Sequence, residues 1–221
     1  MGIKERKEQN KKDMRELILA SARTVFFERG LANVTIRNVA RAIEYSPRTI
    51  YLYFPNKDSI MHALREEGFQ KIYVKQVETQ WIADPLDRLK AQGLAYVMFA
   101  LRNPEHYGLM YAAPVAHPQT GQAASGTDSG RQSYLFLQNN IKECLEKGLI
   151  PNGDLQVATL AVWAALHGIS ILVGRQALLG LPEDEQKRWA RRSVLYLAQL
   201  FRIAGKSGAL RPPLEASDSE D

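Results

Sequence analysis

Residues 35–57, TIRNVARAIEYSPRTIYLYFPNK, read as two short helices joined by a tight turn, and few folds accommodate that pattern. The first starts at Thr35, whose hydroxyl can accept an orphan backbone N–H, and repeats apolar residues at Ile36, Val39, Ala40 and Ile43. The second starts at Ser46 followed by Pro47, an N-cap ahead of the residue whose fixed φ suits the first helical position. Ile50 and Phe54, four apart, point inward. That leaves Arg48, Thr49, Tyr51, Leu52 and Tyr53 on the exposed faces and at the N-terminal end.

A helix of this size fits the major groove of DNA, with its first residues at base edges and its N–H ends toward phosphate. Arg48 can pair bidentately with guanine, and Thr49 can bond a base or a phosphate. Tyr51 and Tyr53 offer hydroxyls to phosphate and flat rings to thymine methyls or sugars. A helical corner with surface aromatics is the bland alternative. Asn56 reads as the N-cap of the next helix and puts Lys57 in its first turn, where the dipole disfavours a cation by about 0.3–1 kcal/mol. A phosphate nearby would reverse that sign, and an ordinary solvated lysine is the competing reading.

The segment resembles the DNA-binding domain of the TetR family of bacterial transcriptional regulators, and the resemblance spans residues 13–64. Ser46, Thr49, Ile50, Tyr51, Tyr53, Phe54 and Lys57 match the family's recognition-helix pattern. The resemblance implies that Thr35, the stretch around Arg48 to Tyr53, with Ser46 and Pro47 at its start, and Lys57 contact DNA. One departure stands out: where the family has Ala, Gly, Val in the turn, this chain has Ile43, Glu44 and Tyr45. The turn then lacks the residue that takes a positive φ without strain, at about 1–2 kcal/mol.

Ahead of that pair, Met14, Leu17, Ile18, Ala22, Val25 and Phe26 recur at helical spacing, and Gly30 falls where a C′ glycine ends a helix. Residues 1–12 crowd Lys4, Arg6, Lys7, Lys11 and Lys12 into a segment with almost no apolar residue. They are expected to be a disordered basic arm, with contact to an adjacent minor groove as a second reading. The formal surplus of +5 is already reached within residues 1–60, and the rest of the chain is balanced, which favours nucleic acid over a uniformly basic protein.

With 221 residues, 45% of them hydrophobic, the chain can bury a core in a second, larger domain. The expected organisation is all-α: a three-helix helix-turn-helix domain at 13–60, a helical effector-binding and dimerisation domain at 61–204, and a disordered acidic tail at 205–221. Helices are expected near 57–79, 84–102, 104–113, 131–148, 154–179 and 183–204. The stretch from Ala112 to Ser133 reads as a loop, either a ligand gate or a connector without a role. One cysteine, Cys144, cannot build a disulfide framework and reads as a small core residue in preference to a redox sensor. No signal peptide opens the sequence, so the cytoplasm is the expected compartment.

Leu155 to Gly174 carries no charge over the roughly 20 residues of a membrane span. Gln156, Thr159, His167, Ser170 and two glycines interrupt it, so a soluble helix buried on most sides is the better reading and no membrane is expected. Small residues Ala158, Ala161, Ala164, Ala165 and Gly168 would admit another helix closely. The resemblance implies that this helix and the last one pair with their copies in a homodimer. Trp163, His167 and Gly168 look like a Trp-His-Gly element of one class of TetR C-terminal domains. His167 reads either as a satisfied interior group or as one that bonds a ligand.

Aromatic and methionine residues, among them Phe69, Trp81, Tyr96, Phe99, Tyr107 and Met110, with Trp163 and His167, are candidates to line a small-molecule pocket. The family resemblance implies a lipophilic or aromatic effector. No GxSxG elbow, phosphate loop or dinucleotide fingerprint appears, and His62, His106, His117 and His167 lack metal-ligand spacing. Neither catalysis, a metal nor a cofactor is expected. Double-stranded operator DNA is the expected partner of a regulator. A nonspecific architectural DNA protein, and a carrier or enzyme with a vestigial helix-turn-helix, stay open as alternatives.

Overall fold

The computed structural model describes residues 2–111, 129–174 and 180–207, and every regular element among them is a helix. In chain order these are α1 (Ile3–Arg29), a short 3-10 turn (Leu31–Asn33), α2 (Ile36–Ala42), α3 (Pro47–Tyr51), α4 (Lys57–Val77) and α5 (Pro85–Arg102). α6 (Pro104–Tyr111), α7 (Ser129–Glu146), α8 (Leu155–Gly174) and α9 (Glu183–Ser207) follow. The all-helical architecture and the helix-turn-helix expected from the sequence are present. Most of the 112–133 stretch and the tail from residue 208 lie outside the described residues, while Ser129 to Ser133 open α7.

Two compact units divide the chain. The first comprises residues 1–70 and 103–128, so the first part of α4 and all of α6 belong with α1, α2 and α3. Its core gathers Ile18, Ala22 and Val25 of α1, Ile36 and Val39 of α2, and Ile50 of α3. Phe54, the α4 residues Ile60, Met61 and Leu64, and Leu109 of α6 complete it. The second unit comprises residues 71–102 and 129–221, where α5 packs against α7, α8 and α9. α8 is long and apolar enough to cross a membrane, yet it packs on α5, α7 and α9.

α1 begins ten residues before the expected start. Residues 3–12 are helical, where the sequence pointed to a disordered arm. Glu5 accepts the Gly2 N–H at 2.8 Å, Gln9 bonds Asp13 at 2.6 Å, and the segment is rich in the good helix formers Lys, Glu, Arg and Gln. Gly30 closes α1 as expected, with φ 77° and its N–H on the Phe26 carbonyl.

The turn after α2 forms despite its unusual sequence. The Tyr45 N–H reaches the Ala40 carbonyl at 2.9 Å and the Glu44 N–H reaches that of Arg41 at 3.2 Å, the crossed pair of bonds of a Schellman cap. Its left-handed position is filled by Glu44, φ 59°, the one non-glycine with positive φ among the described residues. Glycine there removes the steric penalty but adds unfolded-state entropy. Glu44→Gly is therefore expected to raise stability by up to about 1 kcal/mol, read as a rise of a few degrees in thermal midpoint. A lower midpoint would show that the Glu44 side chain holds the turn.

Candidate nucleic-acid interface

The α2–α3 pair is built by its caps. Thr35 Oγ1 accepts the Asn38 N–H at 3.1 Å and opens α2. Ser46 Oγ accepts the Thr49 N–H at 3.1 Å and lies 3.0 Å from Thr49 Oγ1, which opens α3 with Pro47 at its first position. Capping uses the acceptor side of the Thr35 oxygen and leaves its O–H able to donate outward. Ile50 and Phe54 are fully buried and fix the rotation of α3 about its axis. Pro47, Arg48, Tyr51 and Leu52 are thereby exposed, Leu52 at 75%, while Thr49 and Tyr53 are half-buried.

Two cations brace this pair. Arg15 of α1, which the sequence reading passed over, lies 4.2 Å above the Phe54 ring and donates to the Tyr53 carbonyl at 3.0 Å. Its signal was present in the sequence as a charge on the inward face one turn before Ile18. Lys57 stands in the first turn of α4, after the Asn56 cap that accepts the Ser59 N–H at 2.8 Å. Its ammonium does not reach into open solvent: Nζ donates to the Leu31 carbonyl at 2.9 Å, which offsets the unfavourable dipole from within the protein. Two of its three donors remain beyond that bond.

The candidate pocket residues separate. Phe69, Tyr107 and Met110 belong to the first unit, where Tyr111 meets the Phe69 ring edge-on at 6.0 Å and Tyr107 at 5.1 Å. Trp81 is 84% exposed and lines no interior, because the turn after α4 carries it outside the helix packing. In the second unit Tyr96, Trp163 and His167 meet. The Trp163 indole N–H donates to the Tyr96 hydroxyl at 3.3 Å, and His167 Nδ1 lies 3.5 Å from the same oxygen. Phe99 is buried on the same helix as Tyr96, and the Tyr134 ring packs edge-on to Trp163.

A polar chain in the second unit, not foreseen from the sequence, fixes its own amide orientations. Arg88 Nε can only donate, so the Asn140 atom it meets at 2.7 Å is the oxygen. Asn140 Nδ2 then donates to Gln92 Oε1 at 3.3 Å and to the Pro85 carbonyl, which leaves the buried Gln92 Nε2 without a partner among the described residues. Arg88 also donates to Glu143. The Lys147 hydrogen bond, with Arg88 adding charge, holds the Glu143 carboxyl below its ordinary value.

Two capped helices packed over a shared core, the second exposing Arg48, Tyr51 and Leu52, form a helix-turn-helix. Residues 18–64 match the family model described as bacterial regulatory proteins, tetR family. Residues 89–195 match that of the tetracyclin repressor-like C-terminal domain. The chain belongs to the tetR family of bacterial transcriptional regulators. It is similar to a solved protein of unknown function from a Rhodococcus species, at 26% identity and TM-score 0.62, covering 82% of this chain and 93% of that one. The regulator PfmR from Thermus thermophilus shares the fold at 19% identity and TM-score 0.62, over 81% of this chain and 97% of that one. RolR, solved in complex with resorcinol, shares it at 20% identity and TM-score 0.58, over 94% and 98%. No curated protein sequence matches the chain.

Cys144, fully buried beside Glu143, has its thiol pushed up to about 12, foremost by burial. Reaction needs the thiolate. At pH 8 the native protein is therefore expected to resist a chromogenic disulfide reagent for as long as it stays folded, and to react at once in denaturant. Rapid labelling of the native chain would place Cys144 in an opening segment.

Proposed function

We propose that this protein is a ligand-responsive repressor, working in the cytoplasm, that binds a near-palindromic operator as a homodimer. The observation that carries the reading is the capped α2–α3 pair, which displays Arg48, Tyr51 and Leu52 on a helix whose other face is locked by Ile50 and Phe54. In a dimer the two recognition helices would enter successive major grooves about 34–36 Å apart or a multiple of it. Thr35, Ser46, Pro47, Thr49, Tyr53 and Lys57 would hold the backbone while Arg48 reads a base. Support for the dimer comes from α8 and α9, which leave Val157, Leu160, Leu172, Leu195, Tyr196 and Leu200 exposed beside a groove bordered by Trp189.

The effector is proposed to be lipophilic or aromatic and to enter the second unit, where Tyr96, Trp163 and His167 meet and Gln92 keeps unspent donors. The resorcinol complex of RolR supports an aromatic compound on this fold. α4 belongs to both units, so displacement of its second part would carry to the end that starts at Lys57. Emptying a nearly full operator requires the effector to prefer the released state by about 5.5 kcal/mol.

Selection of bound duplexes from a random pool, with complex size measured alongside, tests the reading. An inverted repeat bound by an even number of chains is expected, and no enriched sequence would overturn it. On the selected operator, Arg48→Ala is expected to relax preference at one position by about 1–3 kcal/mol. Lys57→Met is expected to weaken all sequences alike and flatten the salt dependence. An unchanged consensus with Arg48→Ala would remove Arg48 from the reading head.

The combined variant Leu160→Glu and Tyr196→Glu places charges on the exposed apolar faces of α8 and α9. Light scattering is expected to show a monomer with helicity intact and operator affinity at least about tenfold weaker, since linked binding sites lose their mutual gain. A persistent dimer would move the interface elsewhere.

A further inference from the structure

The helical residues 3–12 raise a question that the reading head does not answer. Every residue from Gly2 to Asp13 is exposed, and Met14 is the first that is partly buried, so no packing holds these turns. A stretch this short whose one large apolar residue, Ile3, lies exposed is marginal alone in water. Lys4, Arg6, Lys7, Lys11 and Lys12 stand against Glu5 and Glu8, and none of the five cations forms an ion pair among the described residues.

The charges are not spread evenly around the helix. At 100° per residue, Lys4, Lys11 and Arg15 share an arc of about 40°, with Lys7 about 40° beyond and Glu8 at the opposite flank. The same arc further along α1 carries Ile18, Ala22 and Val25, the side that packs on the core shared with α2 and α3. Arg15, where lysine gives way to core, touches Phe54 and the Tyr53 carbonyl at the exit of α3. α1 therefore overhangs its own core by about 16 Å from Arg15 back to Lys4, and the side it turns toward the reading helices is basic.

We propose that this overhang is a second DNA-binding surface, a helical stripe of Lys4, Lys7 and Lys11 that grips backbone phosphates beside the half-site read by α3. It rests on the reading of α2–α3 as a DNA-binding pair. The stripe contributes affinity without sequence preference, because phosphates carry no base information. Binding to the duplex also supplies the partner that the unpacked turns lack within the protein.

The test compares full-length protein with the triple variant Lys4→Gln, Lys7→Gln, Lys11→Gln, glutamine being a good helix former. Arg6→Gln, on the opposite side of α1, is the control. The slope of log affinity against log salt is expected to fall by about 2–3 in the triple variant, at about 0.9 per phosphate contact. The selected consensus is expected to stay the same, and hydroxyl-radical protection to retreat from the flank. Arg6→Gln is expected to leave the slope unchanged. Equal slopes for wild type and triple variant, or an equal loss per charge with Arg6→Gln, would overturn the stripe. Absence of any selected sequence would defeat the regulator reading alone, and the slopes on random duplex would still decide the stripe.

Discussion

Everything the first unit can do depends on burial of Ile50 and Phe54, because α3 is only five residues long. A helix of that length has no stability of its own: its nucleation cost is not recovered within a single turn. Each of those two side chains contributes about 1.5–3 kcal/mol by leaving water. Because they lie four apart, they also fix which side of α3 faces outward. Arg48 and Tyr51 are exposed for that reason, and not through any preference of their own.

The cations around the pair follow from the same economy of short elements. Arg15 donates to the Tyr53 carbonyl at the exit of α3, and Lys57 adds a second bond to the Leu31 carbonyl, which already accepts the Val34 N–H. Lys57 thus ties the start of α4 to the turn after α1, so its ammonium has a structural duty before any phosphate approaches. Arg23 does the same between helices: its guanidinium lies 3.0 Å from His106 Nε2 on α6 and 3.5 Å from Glu67 on α4. Those contacts explain how α6, distant in sequence, comes to share a compact unit with α1.

Legibility in the sequence tracked how local the physics was. Thr35, Ser46 with Pro47, Asn56 and Gly30 announce their caps within four residues, and each stands where its spacing placed it. Glu44 was visible as a departure, yet only backbone geometry shows that the chain accepts a left-handed glutamate instead of reshaping the turn. The helical residues 3–12 differ from the expected arm because Lys, Arg, Glu and Gln form helices well, whether or not anything packs on them. Pocket candidates were the least legible. Aromatic type says nothing about which unit a residue joins, and Phe69 and Tyr96 fall in different ones. Gln92 and Asn140 acquire meaning only through partners some fifty residues away, which no local pattern carries.

The second unit distributes its apolar surface unevenly. α5 lies against three helices and buries Leu86, Leu89, Tyr96, Val97 and Phe99, whereas α8, with no charge along its length, leaves Val157, Leu160 and Leu172 in water. The open side of such a helix adds to its stability only when something covers it. If a second copy covers it, as proposed, folding and assembly share one free energy, and the unit becomes more stable as protein concentration rises. The spacing between two reading heads would then be set by apolar contacts of α8 and α9, in the other compact unit from α3. On that proposal, a molecule that bound one packing of those helices better than another would change operator affinity without touching DNA.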